Sequence, residues 1–346
     1  MHKNKLVFLI FSIGIFCING LNGNTTRSTV GLPDFQATYN QHPKTPSATI
    51  FTPFDYESKI LGFENKKDSI LNIGGQHNAA EVLTDSIKGE KMPMNLKDLN
   101  DILTPMVILG ELNNNKPLTV LSEYLNNSDN DALISVSGKS IGHIGGAKAF
   151  QILSKTVKNS QTNNDIRRVE AAIIGLGYCN DIRAEKVLQS LLNRNVYSNI
   201  STRIYIAGAL GMYGNQVGYK IAMDGLNSAN TDVLLSALSA LGFIGNTDAL
   251  GAVWNIFNSN ASYVVKKRCK LTIFMIECQE ESKYAEVNFI RTGLEQNSEH
   301  TEIVQWGIDR LKKIQTEASK TSLEELANKE SFPYLSYTAK LKLNSI

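Results

Sequence analysis

Leu241-Gly242-Phe243-Ile244-Gly245-Asn246 is the last copy of a phrase that the chain repeats. Earlier copies read Leu109-Gly110-Glu111-Leu112-Asn113, Ile141-Gly142-His143-Ile144-Gly145, Leu176-Gly177-Tyr178-Cys179-Asn180 and Leu210-Gly211-Met212-Tyr213-Gly214. Set on the shared glycine they recur every 31 to 35 residues, a period at which each unit is one supersecondary piece that buries its apolar face only by stacking on its neighbours. Two residues before the glycine the side chain is small in four copies (Ser140, Gly175, Ala209, Ala240), and Ile108 is the exception. A small residue there lets another helix approach closely.

Three to four residues after the glycine stand Asn113-Asn114, Gly145-Gly146, Asn180-Asp181, Gly214-Asn215 and Gly245-Asn246. These types tolerate the left-handed backbone at a helix end and then cap the next helix. Positions ten, eleven, fourteen and fifteen after the glycine are apolar or small in nearly every copy, from Val120, Leu121, Tyr124 and Leu125 to Ala252, Val253, Ile256 and Phe257. That i, i+1, i+4, i+5 pattern is one buried helical face. Each phrase therefore predicts the end of one helix, a tight turn and the start of a second.

The frame resembles HEAT repeats, and most closely the short HEAT-like repeats first associated with phycobilisome bilin lyases. The resemblance covers roughly residues 95–315 and implies an all-α, right-handed α-solenoid of about six to seven stacked helical hairpins. It also implies that the second helices line the concave side, and that first helices open on a basic residue. Arg203 fits that place and Arg167-Arg168 nearly so, whereas Ile134 and Leu234 do not.

Outside the repeats the composition changes. Lys3 and Lys5 followed by the apolar run Leu6–Ile18 read as an export signal over residues 1–20, too short to span a bilayer comfortably. An uncleaved N-terminal anchor is the alternative, with no membrane span in the mature chain. Residues 21–94 hold five of the eight prolines, so a largely irregular linker is expected; Asn78–Lys88 is a candidate helix. Short apolar clusters in it, Ile50-Phe51 and Phe54 to Tyr56 among them, are candidates for docking. The solenoid is assigned to 95–318, closed by an amphipathic helix over 302–318, and residues 319–346 to a C-terminal tail.

With 42% hydrophobic and 20% charged residues, wholesale disorder is excluded. The net charge is +2, and Lys3 and Lys5 account for that excess, so the body offers no bulk charge to a nucleic acid. Beyond Cys17 of the signal, Cys179, Cys269 and Cys278 read as small core residues. On one helix Cys269 and Cys278 would point about 180° apart and cannot bridge. The histidines are scattered, and His143 is expected to face its turn. No metal-binding, phosphate-cradling or nucleophile-elbow motif occurs, so no cofactor, metal or catalytic residue is assigned. Asn-Xaa-Ser/Thr occurs at Asn24, Asn126, Asn199 and Asn260, and carries meaning only in a eukaryotic secretory host.

The functional expectation rests on what the second helices show to solvent. Met223 and Trp254 share the twelfth position after the glycine; Lys186, Lys220 and Gln189 stand nearby on the same helices. Trp254 either folds against Phe257 as core or offers a rigid apolar anchor to a partner. The leading expectation is a non-enzymatic exported scaffold, periplasmic, secreted or at the cell surface, that binds a protein or peptide on its concave face. An enzyme or enzyme accessory of the HEAT-like lyase kind and a purely structural spacer are the alternatives.

Overall fold

The local devices read from the phrase decide the architecture. The computed structural model describes residues 75–343 apart from 89–95, 113, 163–164, 194–196 and 281–282, and holds helices and no strand among them. First and second helices alternate: α2 (Leu96–Glu111) with α3 (Leu118–Asn127), α4 (Asp131–Ile144) with α5 (Gly146–Thr162), and α6 (Ile166–Tyr178) with α7 (Ile182–Asn193). Then come α8 (Ile200–Gly211) with α9 (Tyr219–Gly225), α10 (Thr231–Ile244) with α11 (Leu250–Asn258), α12 (Tyr263–Glu280) with α13 (Lys283–Gln296), and α14 (Thr301–Ile314) with α15 (Glu317–Ala327). Helix α1 (Gly75–Ile87) precedes these hairpins and α16 (Pro333–Leu343) follows them.

The phrase turns share two devices, the second of them missing where Gly146 stands. The third residue after the glycine is left-handed in each: Gly145 (φ 69°), Asn180 (φ 52°), Gly214 (φ 75°) and Gly245 (φ 70°). The fourth then bends the chain into the second helix by accepting a backbone N–H two residues on: Asn114 from Lys116, Asp181 from Arg183, Asn215 from Val217 and Asn246 from Asp248, at 2.9–3.0 Å. The return turns are capped likewise, by Asn130, Asp165, Asn199 and Asn230 at the N-termini of α4, α6, α8 and α10.

The chain forms two compact units, residues up to Ala184 and residues from Glu185 onward. Within each, first helices pack backbone to backbone. In the first unit a side chain on Gly142 would come within 2.4 Å of the Gly175 carbonyl oxygen, and one on Gly175 within 2.3 Å of the Gly138 oxygen. Gly110 abuts Ser140 in the same way, which explains the small residue two before the phrase glycine: it receives the glycine of the preceding hairpin. In the second unit Gly211 lies against the backbone of Phe243 and Ile244. Second helices instead lie over the next first helix, α3 on α4, α5 on α6, α9 on α10 and α11 on α12. Their eleventh-position residues, Leu121, Leu153, Leu188, Ala222 and Val253, are all fully buried.

The basic openings of the first helices act as staples. Arg168 donates to the Asn126 carbonyl (3.0 Å) and the Ser128 carbonyl (2.6 Å) at the end of α3, and pairs with Asp165. Arg167 reaches the Asp131 carboxylate at 2.9 Å. These guanidinium groups satisfy carbonyls that a helix end leaves open.

One expectation holds and two are corrected. The candidate helix at Asn78–Lys88 is α1, which starts at Gly75; its Ala80, Leu83 and Ile87 are buried, and its Ile87 carbonyl accepts the Tyr124 hydroxyl at 2.8 Å; residues 1–74, signal included, lie outside the described residues. The tail assigned from 319 is α15 and α16, with Leu323, Leu326, Leu335 and Ala339 in one core with Trp306. The closing helix expected over 302–318 stops at Ile314, because Gln315 turns left-handed (φ 54°) and Thr316 and Ser319 form a capping box for α15.

The second unit also holds a long-range tie: the Lys313 ammonium, at the end of α14, donates to the Met212 carbonyl at the end of α8, 3.2 Å away. Two first helices, α10 and α12, intervene in sequence, and a lysine side chain reaches only about 6 Å beyond its Cα, so the C-terminal ends of α8 and α14 lie close together.

Candidate functional site

Helix α11 departs from its sister second helices. Its sequence, Leu250-Gly-Ala-Val-Trp-Asn-Ile-Phe-Asn258, carries no charge, yet Val253 is its one fully buried side chain. Leu250, Ala252, Ile256 and Phe257 are only half-buried, and Trp254 is 42% exposed. The Trp254 ring meets Phe257 edge to face, centroids 5.4 Å apart, so both placements foreseen for it hold in part: it leans on Phe257 and still presents a face to water. Immediately after the turn, α12 opens on Tyr263 (58% exposed) and Val264 (39%).

The other residues singled out from sequence have different surroundings. Lys186 on α7 and Lys220 on α9 are exposed, and Met223 is half-buried. Gln189 is engaged within the fold: its side-chain amide donates to Glu185 Oε1 at 3.1 Å, and the same oxygen accepts Asn215 at 2.9 Å. Gln189 thus belongs to a polar tie between α7 and the turn that leads into α9. Asn246 repeats the tie one hairpin later, donating to Gln216 at 3.3 Å.

A polar column on the first helices was not foreseen. His143 and Tyr178 both follow a phrase glycine, and their rings stack at 4.4 Å with 22° between planes; the Lys139 ammonium lies 5.5 Å from the Tyr178 ring centre. His143 therefore faces the next hairpin and not its own turn. The signal was present, since residues at equal phrase positions of stacked hairpins are neighbours. Charged groups are also buried in the second unit, where Glu302 pairs with Lys267 at 3.1 Å and Glu286 with Arg310 at 2.5 Å. These pairs offset the cost of burying the two carboxylates.

Cys179, Cys269 and Cys278 are buried and in no disulfide, and burial pushes the Cys269 thiol up to about 11. A thiol so protonated is a poor nucleophile and fits a packing role. Among the described residues no cluster of three His, Cys, Asp or Glu could hold a metal ion, and no helix is long and apolar enough to cross a membrane.

Comparison with known proteins adds little. No family model matches the chain, and no curated protein matches it. Among solved structures, human deoxyhypusine hydroxylase in complex with glycerol aligns over 60% of this chain and 88% of its own, at 14% identity and a TM-score of 0.30. That score is too low to argue from. The described chain is an all-α protein of packed helical hairpins, consistent with a HEAT-like repeat.

Proposed function

We propose that the protein is a non-enzymatic, exported scaffold of the HEAT-like kind that captures a protein or peptide through the apolar face of α11, with Trp254 as the anchor. The observation that carries this reading is an uncharged helix with one fully buried side chain and a half-exposed tryptophan. Aromatic side chains of this sort concentrate binding energy, because they desolvate a large area at little entropic cost. The proposed partner surface lies on the second helices. Lys220 and Met223 on α9 extend it on the same layer.

The test compares wild type with Trp254→Ala for retention of partners from the native envelope fraction, beside thermal melts of both. Retention is expected to fall at least tenfold, while stability drops by no more than about 1 kcal/mol, since the ring's intramolecular contact is a single aromatic edge. Equal retention by the two proteins, or a melt lowered by more than about 10 °C, would assign Trp254 to the core.

A further inference from the structure

Buried charges in this chain have partners, with one exception. Glu286 and Glu302 pair with Arg310 and Lys267, Lys342 pairs with Asp309 at 2.8 Å, and Lys139 lies against the Tyr178 ring. Arg268 of α12 is 3% exposed, yet among the described residues its guanidinium makes no hydrogen bond, ion pair or ring contact. Its nitrogens remain open to solvent at an edge: an unbonded nitrogen sealed from water occurs at Arg203 and not at Arg268. A cation held this deep without an anion is costly, and this one can still be reached from water.

The first unit shows what an arginine at this place does when it is engaged. There the Ser128 hydroxyl accepts the Asn130 amide at 3.1 Å, Asn130 caps α4, and Arg168 of the next first helix holds the Ser128 carbonyl. Ser228 and Asn230 repeat that turn, with the same 3.1 Å bond and the same cap on α10. Helix α12 follows α10 as α6 follows α4, and the registers agree to within one residue. Arg168 stands three residues before Ala171, which packs on Gly138; Arg268 stands four before Thr272, whose hydroxyl donates to the Leu238 carbonyl at 2.9 Å. Gly138 and Leu238 hold the same place, four residues before their phrase glycines. Among the described residues no bond from Arg268 to the Ser228 carbonyl completes the repeat, so its donors stay open.

No acid of the fold takes the open place. Between Asp248 and Glu277 the chain carries Lys266, Lys267, Arg268 and Lys270 and no Asp or Glu; Glu302 takes Lys267, and Asp232 at the head of α10 makes no pair with Arg268. We infer that Arg268 is the core of an anion site between α10 and α12, which binds an oxyanion from solvent, a carboxylate or a phosphate, through two parallel N–H···O bonds. The planar fork of a guanidinium matches both groups in this way. A side chain on a helix leans toward the helix N-terminus, so the anion sits beside the first turn of α12, which holds no acidic residue and carries partial positive charge. The inference goes beyond the reading of α11 and does not depend on it.

The test follows thermal melts of the full chain titrated with inorganic phosphate or with N-acetyl-aspartate amide, chloride holding the ionic strength constant. The wild-type melting temperature is expected to rise saturably, by a few degrees at about ten times the Kd. Arg268→Lys should bind about tenfold more weakly, since an ammonium is a point charge without the fork. Arg268→Met should not respond, and in chloride alone it should melt no lower than wild type, because an unpaired buried charge has given way to an apolar side chain. Saturation at lower phosphate identifies a free anion as the ligand, and saturation at lower N-acetyl-aspartate amide identifies an acidic side chain of a peptide; either supports the site. A wild type that neither anion stabilises beyond chloride overturns the inference, as does Arg268→Met responding like wild type. Should Arg268→Met fail to fold, Arg268→Lys decides, and binding as tight as that of wild type overturns it. Partner retention reads Trp254 and this titration reads Arg268, so each reading can fail alone.

Discussion

The first-helix layer and the second-helix layer are built from the same repeat and solve opposite problems. In α6 every residue from Val169 to Gly177 is buried, and its glycine meets the neighbouring backbone with no room for a methyl group. In α11 one residue is buried, and a side chain added at Gly251 would meet nothing within 4 Å. The first-helix layer has spent its surface on cohesion, so what the protein can offer a partner is left to the second-helix layer. The same amino-acid change should therefore have opposite consequences in the two layers.

Gly211→Val is the severest way to probe that contrast. Its Cβ would lie 2.6 Å from the Ile244 amide nitrogen, so α8 and α10 must separate; a loss of more than about 3 kcal/mol is expected, read as a collapse of the urea midpoint. Lys267→Met tests the first layer electrostatically, because it removes a cationic partner from the buried Glu302 carboxylate. It should cost about 2 kcal/mol, less than a fully buried pair because Lys267 is partly in water, and Lys267→Met with Glu302→Gln should regain much of it. Gly251→Ala in the second-helix layer should go the other way, stabilising by about 0.5–1 kcal/mol through helix propensity alone. A loss there would mean that α11 is more tightly covered than its exposure indicates.

The smallest effect concerns pH. Burial, with Lys270 and Lys267 nearby, holds the His300 imidazole below its ordinary value. Acidification through the range just below the unfolded value of about 6.5 therefore protonates the unfolded chain first, and stability falls with pH until the folded state also takes up its proton. His300→Gln should flatten that part of the stability profile. A profile unaltered by the substitution would show that His300 is solvated at the opening of α14.

Much of the fold was legible because the turn chemistry is local. The left-handed third residue and the bending fourth residue of each phrase can be named from residue type alone, and Asn180 and Asp181 perform in one turn what Gly245 and Asn246 perform in another. The pair α15–α16 was hidden because it carries no phrase; a few leucines at helical spacing, such as Leu323 and Leu326, do not distinguish a packed helix from a tail. The tie from Lys313 to Met212 was not legible at all, because a contact 101 residues apart leaves no mark on local pattern. The exposure of Trp254 was one of two readings, and the choice turned on α11 being sparsely covered, a property of its neighbours.

The tie from Lys313 to Met212 bears on mechanics. An open stack of hairpins stretches like a coil spring, because each junction opens by a small angle and the angles add. A cross-link from the fourth turn of the coil back to the first adds a contact that tension on the second unit must break: a single surface ammonium–carbonyl bond, worth about 1 kcal/mol. Such a tie biases the resting pitch of the coil and gives way under load.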